Sequence, residues 1–381
     1  MSEPPVVTWQ EKGETRSARW RSEKALPPPK RVVVAGDTIK ADRAYRLACE
    51  GTAMLWRGDF HNARQLLNAM ARRIDLKSSK EPRQPPASPA EAFNLLRMAR
   101  AQRAHTLGML LMPFDADHGI PLPRAPDVRE ACAEAYGAAG GRYLASLREL
   151  LGLIGAHEWR RTGVEIPALG ARIHPHYGVF SPVRSEYVEL VAKAPLPAAL
   201  SSSSVAFDIG TGTGVLAAVL ARRGVGRVVA TENDPRALAC ARENIERLGL
   251  AAQVQIVEAD LFPDERAALV VCNPPWLPAR PSSALERAIY DERGAMLRGF
   301  LGGLAAHLAP GGEGWLILSD LAEHLGLRPR AELLAAIESA GLQVLDRIEI
   351  KPNHPRAGDM RDPLHAARRS EMTSLWRLAP R

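Results

Sequence analysis

Near the middle of the chain, an apolar run is followed by residues whose spacing indicates ligand binding: Asp208, Gly210, Thr211, Gly212 and Gly214. The apolar run predicts a buried strand and the residues after it predict a helix, so the glycines lie in a strand-to-helix turn. Glycine adopts positive φ angles and allows close approach of a ligand to the backbone. The spacing differs from the G-x-G-x-x-G of dinucleotide-binding loops, because the third glycine comes one residue early. These residues therefore predict a loop that binds a nucleoside cofactor.

Two further acidic residues follow the next apolar runs. Glu232 ends the second predicted strand, where a carboxylate can accept hydrogen bonds from both hydroxyls of a ribose. Asp260 follows the third predicted strand, where it could receive the amino group of an adenine. We assign the neighbouring Asn233 and Leu261 to the same cofactor site.

The sequence Asn273, Pro274, Pro275 and Trp276 follows the fourth predicted strand. Two prolines stiffen the backbone, and the Asn273 side-chain oxygen and the Pro274 carbonyl can each accept one N–H of a substrate amino group. Trp276 can stack on the flat group that carries this nitrogen. Positioning of this kind contributes up to roughly 7–11 kcal/mol in favourable systems. We interpret the four residues as a clamp for a planar amine; the alternative is a proline turn with Trp276 in the core.

The elements that must position these residues alternate between strands and helices from Val205 onward, which indicates a parallel sheet with crossover helices. The predicted strands are 205–209, 227–231, 253–257, 268–272, 314–318, 343–350 and 372–378, and the predicted helices are 214–222, 235–248, 293–308 and 328–340. The last two strands are expected to pair antiparallel. The predicted fold class is α/β, with a doubly wound, mostly parallel, seven-stranded Rossmann-like sheet, an antiparallel C-terminal hairpin and a helical N-terminal domain in front.

The chain of 381 residues divides into three predicted regions. Residues 1–36 are rich in charge and proline and predict a disordered tail. Residues 37–165 show apolar positions at helical spacing and predict a helical domain for substrate recognition. Residues 166–381 form the predicted catalytic domain.

Composition limits the setting of the protein. Four scattered cysteines argue against a disulfide framework or a zinc cluster and suit the reducing cytoplasm. His174 and His176 flank a proline without nearby ligands, so no metal is expected. No apolar run approaches the roughly 20 residues of a membrane span.

The net charge of +7 is unevenly distributed. Residues 1–200 carry 29 Lys and Arg against 21 Asp and Glu, whereas residues 201–381 carry 21 against 22. An excess of this kind favours a polyanionic partner such as RNA, or it belongs to a solvated Arg-rich surface. A C-terminal connection is also basic and could contact RNA phosphates or form a surface loop; its basic residues are Lys351, His354, Arg356, Arg361, His365, Arg368 and Arg369.

As a set, the motifs of residues 205–320 resemble class I S-adenosylmethionine-dependent methyltransferases that act on planar nitrogens. The resemblance covers about a third of the chain. It implies S-adenosyl-L-methionine as cofactor, with its methionine part on the glycine loop. It also implies that Glu232 holds the ribose, Asp260 the adenine ring, and Asn273 with Pro274 the target amine.

The resemblance divides over the acceptor. Asn-Pro-Pro with a following aromatic residue is typical of N6-adenine methyltransferases and of HemK-like glutamine methyltransferases of release factors, which usually have Tyr in place of Trp276. Residues 178–181 resemble the loop that opens the catalytic domain of ribosomal-RNA guanine-N2 enzymes, which carry a degenerate catalytic domain in front. We therefore expect methylation of an exocyclic amine in a nucleic-acid base, with ribosomal RNA favoured. The alternatives are glutamine methylation on a translation protein, a non-catalytic RNA-binding scaffold, and a dehydrogenase, which the early third glycine disfavours.

Overall fold

The computed structural model describes residues 5–80, 85–138, 140–200, 205–352, 359–360 and 362–381. The chain forms two compact units. The first unit comprises Met1–Pro86 and Asn94–Glu158, and the second comprises Ala87–Phe93 and Trp159–Arg381.

The first unit contains a mixed sheet with helices. Its strands are β1 (Val6–Glu11), β2 (Glu14–Trp20), β3 (Arg31–Ala35), β4 (Thr52–Trp56), β5 (Leu110–Phe114) and β6 (Tyr143–Ser146), in the order β1-β2-β6-β5-β4-β3. Its helices are α1 (Ala41–Cys49), α2 (Phe60–Lys80), α3 (Pro89–Gly108), α4 (Arg129–Tyr136) and α5 (Leu147–Thr162), of which α3 and α5 continue into the second unit. Strands β3, β4 and β5 are parallel, whereas β6 is antiparallel to β5.

This sheet corrects two predictions for the front of the chain. The region 37–165 contains helices but is not a purely helical domain, because β4, β5 and β6 are central strands of the sheet. The expectation of a disordered tail over residues 1–36 is wrong for its described part, residues 5–36, which contains β1, β2 and β3. Val7 and Trp9 on β1 are buried, so hydrophobic burial holds this segment in the unit.

The second unit contains the predicted sheet. Its elements are β7 (Val164–Ile166), β8 (Ala171–Ile173), α6 (Glu186–Lys193), β9 (Val205–Ile209), α7 (Val215–Arg222), β10 (Arg227–Glu232), α8 (Pro235–Arg247), β11 (Val254–Glu258), β12 (Ala267–Cys272), α9 (Ala284–Arg287), α10 (Ala295–His307), β13 (Leu308–Ser319), α11 (Leu321–His324), α12 (Arg330–Ser339), β14 (Leu342–Ile350), α13 (His365–Ser370) and β15 (Thr373–Pro380), with 3₁₀ turns at Pro167–Leu169 and Glu292–Gly294. The strand order is β11-β10-β9-β12-β13-β15-β14. The first five strands are parallel, and β15 is antiparallel to both of its neighbours. The predicted α/β fold with an antiparallel C-terminal hairpin is confirmed.

Both faces of this sheet are buried. Ala206 on β9 packs into a cluster with α6 and α7, whereas Phe207 and Ile209 pack into a second cluster with α10 and α12. A parallel sheet covered on both faces needs near-continuous apolar strands, which is why the sequence signal here is strong. The carboxyl ends of β9, β10 and β12 therefore meet at one edge, where ligands of such sheets bind.

Candidate functional site

The glycine loop after β9 has a left-handed backbone at three positions. Gly210, Gly212 and Gly214 have φ angles of +69°, +57° and +81°, which side-chain-bearing residues rarely adopt. A Cβ on Gly210 would lie 2.5 Å from Cε of Met296, and one on Gly214 would lie 3.4 Å from Cα of Ala241. A Cβ on Gly212 would meet nothing within 4 Å. The loop is therefore packed at its two ends and open at its centre.

Asp208, at the end of β9, is buried and supports this loop from behind. Its carboxylate accepts hydrogen bonds from the Thr211 hydroxyl at 2.6 Å and from the Ala217 amide at 3.0 Å. The second bond caps the first turn of α7. The residue at the start of this helix, Gly214, has no side chain that could serve as the cap. Burial raises the pKa of Asp208 to about 6, and the charge of Glu232 acts in the same direction. Asp208 therefore shapes the cofactor loop from the protein interior.

Glu232, at the end of β10, makes three hydrogen bonds to the backbone. Its oxygens accept the amides of Gly212 at 3.1 Å, Asn233 at 2.9 Å and Asp234 at 3.1 Å. An ionised carboxylate has about four lone-pair positions, so these bonds leave one of them for a ligand hydroxyl. Asn233 itself is exposed beside this carboxylate.

The turn after β11 brings the next two predicted residues to the same edge. Asp260 is exposed, and Leu261 has a left-handed φ of +69°. The Leu261 carbonyl accepts the Thr231 hydroxyl at 2.5 Å, which ties this turn to the end of β10. The Leu261 side chain lies against α10, since a Cβ on Gly299 would be 2.6 Å from Leu261 Cδ1. Asp260 thus lies in a turn that is anchored beside Glu232.

The proposed amine clamp follows β12, the neighbour of β9 in the sheet. The indole N–H of Trp276 donates to Asn273 Oδ1 at 2.8 Å, a contact that the sequence did not suggest. An amide oxygen has two lone pairs, so Asn273 retains one for another donor. Pro274 is buried, and no donor among the described residues is hydrogen-bonded to its carbonyl. Trp276 is half-buried between the two core clusters, so the core-residue alternative describes only part of its environment.

Sequence reasoning missed the residues that surround Trp276. The Arg184 guanidinium lies 4.9 Å from the centre of the indole ring. Arg184 donates to Glu186 at 2.5 Å and to Glu371 at 2.9 Å. Burial by itself would lower the pKa of Arg184, but Glu371 and Glu186 raise it above its ordinary value. Ser319, at the end of β13, donates to Glu371 at 2.6 Å.

Other candidate ligands have structural partners. The His174 ring lies 2.7 Å from the Arg160 carbonyl, and His176 Nε2 lies 2.7 Å from Glu243. Within the described part of the chain, no group of three His, Cys, Asp or Glu residues is arranged to hold a metal ion. None of the described helices has the length and apolar character of a membrane span. Three of the basic C-terminal residues, His354, Arg356 and Arg361, lie outside the described residues.

Comparisons with known proteins show similarity to methyltransferases. The family model of the methyltransferase small domain matches residues 170–329. The ribosomal protein L11 methyltransferase of Pelotomaculum thermopropionicum is 40% identical over 146 residues, which cover 38% of this chain and 39% of that protein. The release factor glutamine methyltransferase of Gloeobacter violaceus is 30% identical over 202 residues, which cover 49% of this chain and 67% of that protein.

A third relative modifies a nucleic acid according to its name. The tRNA1(Val) (adenine(37)-N6)-methyltransferase of Bacteroides fragilis is 30% identical over 152 residues, which cover 35% of this chain and 64% of that protein. The chain spans only 37% to 58% of the length of this L11 methyltransferase and of three further release factor glutamine methyltransferases. The methyltransferase identity is common to all of these matches. With a glycine loop and an Asn-Pro-Pro-Trp turn that directly follow two adjacent strands of this sheet, the chain belongs to the class I S-adenosyl-L-methionine-dependent methyltransferases, and S-adenosyl-L-methionine is its cofactor.

Proposed function

We propose that the protein methylates a planar amino group, namely an exocyclic amine of an RNA base, with ribosomal RNA as the first candidate. The observation that carries this proposal is the placement of Asn273 and Pro274 directly after β12, which pairs with β9, the strand that precedes the glycine loop. Asn273 Oδ1 and the Pro274 carbonyl oxygen each have a lone pair that no described donor occupies. Together they suit an acceptor with two N–H groups on one nitrogen.

The residues at this edge fit the cofactor. The open space at Gly212 admits a ligand directly against the backbone, and Glu232 has a lone-pair position for a ribose hydroxyl. Asp260, with Leu261 beside it, would bind the adenine amino group, and Gly210 and Thr211 would border the methionine part. When bound, S-adenosyl-L-methionine supplies an electrophilic methyl group.

The clamp residues would orient the acceptor. Asn273 Oδ1 and the Pro274 carbonyl would each accept one N–H, which directs the nitrogen lone pair away from both oxygens and toward the neighbouring cofactor loop. Pro275 would hold this turn rigid, and Trp276 would contact the flat face of the acceptor. The clamp contains no strong base and needs none, because the amino group can lose its proton after the transfer.

Charge supports RNA as the partner. Residues 60–108, which include α2 and α3, carry nine Lys and Arg against three Asp and Glu, a large share of the net charge of +7. Lys and Arg side chains attract the phosphate backbone whatever its sequence, and such binding weakens with salt. If RNA binds here, the logarithm of the binding constant should fall linearly with the logarithm of salt concentration, by roughly 0.7–0.9 per phosphate neutralised. A flat response would favour a protein acceptor.

The second candidate acceptor is a glutamine side chain of a translation protein. Its amide also has two N–H groups on a planar nitrogen, and the named acceptors of two relatives are a release factor and ribosomal protein L11. The same clamp would serve it. Four cysteines that are free thiols suit a cytoplasmic site for either reaction.

One labelling experiment separates these candidates. The purified chain and S-adenosyl-L-methionine with a tritiated methyl group are incubated with a lysate from cells that lack this chain, followed by nuclease or protease digestion. We expect macromolecular label that nuclease releases and protease does not. Label released only by protease would establish the glutamine type of acceptor. No label above the Asn273→Ala control would overturn the proposed function and would leave a cofactor-binding scaffold.

A further inference from the structure

An ion cluster lies beside the amine clamp and has no part in the function proposed above. It consists of Arg184, Glu186 and Glu371, which come from the start of α6 and from the connection before β15. The exposed fractions of these side chains are 18%, 7% and 4%, so water screens them little. Removing one member of such a group leaves an uncompensated buried charge, which is strongly destabilising. Arg184 is therefore held in one position.

The guanidinium of Arg184 covers one face of the Trp276 ring. A separation of 4.9 Å from the ring centre is within the range of a cation–π contact, which is strongest for indole. At most the other face of the ring can stack against an acceptor. The Trp276 carbonyl accepts a hydrogen bond from Arg328 at 3.4 Å, so both the ring and the backbone of this residue have partners.

The plane of the indole determines where its N–H points. An indole N–H can only donate, so it pairs with the oxygen of the Asn273 amide and not with the nitrogen. This selects one of the two possible orientations of that amide. A phenylalanine at the same position could stack but could not make this selection.

We propose that Arg184 is a positioning residue for the amine clamp: Glu186 and Glu371 hold its guanidinium on the Trp276 ring, and the ring in turn orients Asn273. This inference rests on the proposed amine clamp. It assigns a role to the C-terminal segment, because Glu371 is also bonded to Ser319 at the end of β13. The chain of contacts thus runs from the end of β13 and the connection before β15 to Asn273, the residue that receives the acceptor.

The first test measures the Trp276 indole N–H by NMR in the full chain labelled with ¹⁵N-tryptophan. The Trp276→Phe variant identifies the signal by its loss. Arg184→Lys keeps a cation for both carboxylates, which preserves the fold, but removes the flat guanidinium. We expect the Trp276 signal to shift and its exchange with water to quicken about tenfold. The same signal in Arg184→Lys and Arg184→Gln as in the unaltered chain would overturn the proposal.

A matched control exists in the same unit. Arg347, on β14, lies over Trp376, on β15, at 4.7 Å from the ring centre. Arg347→Gln should leave the Trp276 signal unchanged. An equal response to Arg347→Gln and to the Arg184 variants would indicate a general loosening of the sheet and would also overturn the proposal.

The second test measures methyl transfer with the acceptor fraction found by labelling. Arg184→Lys should lower kcat about tenfold with an unchanged Kd for S-adenosyl-L-methionine, and it should cause no further loss in the Trp276→Phe background. Unchanged kcat would overturn the positioning role. If the unaltered chain labels no fraction, the proposed function fails, whereas the NMR result still decides whether Arg184 orients the Trp276–Asn273 pair.

Discussion

Each of the two units has a sheet edge formed by the carboxyl ends of parallel strands, but among the described residues only in the second unit do polar groups remain available to a ligand. In the second unit, the carboxyl ends of parallel strands lead into the glycine loop, Glu232 and Asn273, and space or lone pairs remain there. In the first unit, the carboxyl ends of the parallel strands β3 and β4 lead into Asp37 and Gly58, and the polar groups there bind one another.

The first edge is filled by its own side chains. Asp37 accepts the Asp59 amide at 3.1 Å and the Asn62 side chain at 3.0 Å. Asp59 in turn accepts Arg124 at 2.6 Å. A Cβ on Gly58 would lie 2.5 Å from Asp37 Oδ1, whereas one on Gly212 would meet nothing. A sheet edge of this type therefore does not make a ligand site unless polar groups stay uncommitted, in line with the rule that fold does not imply function.

The largest expected effect is on turnover, which should depend on the sheet edge of the second unit and not on that of the first. Asn273→Ala should lower methyl transfer by about 10²-fold or more, because the acceptor nitrogen loses its orientation, and should leave the cofactor Kd unchanged. Asn62→Ala removes an asparagine from the first edge and should leave turnover unchanged. Steady-state transfer of labelled methyl and calorimetry of cofactor binding measure both quantities. Equal losses in the two variants would break the comparison.

The next effect is a contrast in pH dependence. The pKa of Asp208 is raised from 3.8 to about 6 mainly by burial, so the folded state keeps a proton that the unfolded state has lost. Stability from this group is full below pH 3.8 and falls by up to about 3 kcal/mol as pH rises through 6. Asp208→Asn should remove this fall in unfolding experiments between pH 4 and 6.

Asp59 on the first edge should behave in the opposite sense. Its hydrogen bond with Arg124 lowers its pKa below 3.8, against the effect of burial. Its contribution is therefore present above pH 3.8 and is lost as pH falls through the folded pKa. Asp59→Asn should weaken the acid sensitivity of unfolding. The same direction of change for Asp208→Asn and Asp59→Asn would contradict the assigned environments.

A smaller effect concerns cofactor affinity. Glu232→Ala should weaken binding of S-adenosyl-L-methionine by roughly 1–3 kcal/mol, the range for a hydrogen bond to a charged group. Glu11→Ala in the first unit removes a carboxylate paired with Arg57 and should leave the affinity unchanged. Isothermal calorimetry distinguishes the two. An unchanged Kd for Glu232→Ala would reject its ribose role.

The smallest effect sharpens the comparison of glycines. Gly212→Ala forces alanine into a left-handed backbone conformation, at a cost of roughly 1–2 kcal/mol. It also places a side chain in the space assigned to the cofactor. Gly58→Ala should instead lower the free energy of unfolding by roughly 1–3 kcal/mol through overpacking against Asp37 and spare the cofactor Kd. Loss of cofactor affinity in Gly58→Ala would place a ligand at the first edge as well.

The second unit was predictable because each local pattern agreed with its sheet. Strand β9 was predicted at its observed bounds, 205–209, since a parallel strand buried on both faces is a continuous apolar run followed by glycine. The first unit was not predictable by the same signals. Thr52–Trp56 and Leu110–Phe114 are short runs of fully buried residues, which periodicity alone cannot distinguish from a helix.

The missed hairpin had a weak local signal. Lys12 and Gly13 both have positive φ angles between β1 and β2, as in a two-residue hairpin turn, but Lys is an uncommon residue there. Strand β2 is mostly exposed and polar, so it lacks the alternation that marks a half-buried strand.

The site was only partly predictable for a different reason. Sequence placed Asp208 at the loop, but only the structure shows that its oxygens bind Thr211 and Ala217. Arg184 and Glu371 are 187 positions apart, and no sequence pattern relates them.

The support that Asp208 gives to the glycine loop has a consequence for affinity. Its bonds to Thr211 and Ala217, with the Thr211 amide bonded to the Thr231 carbonyl, order the loop in the chain alone. The loop therefore loses its conformational entropy when the chain folds and not when the ligand binds, which is the thermodynamic meaning of preorganisation. Because the cofactor binds to a loop that is already ordered, its association should be fast. Its binding enthalpy should contain little contribution from rearrangement of the backbone.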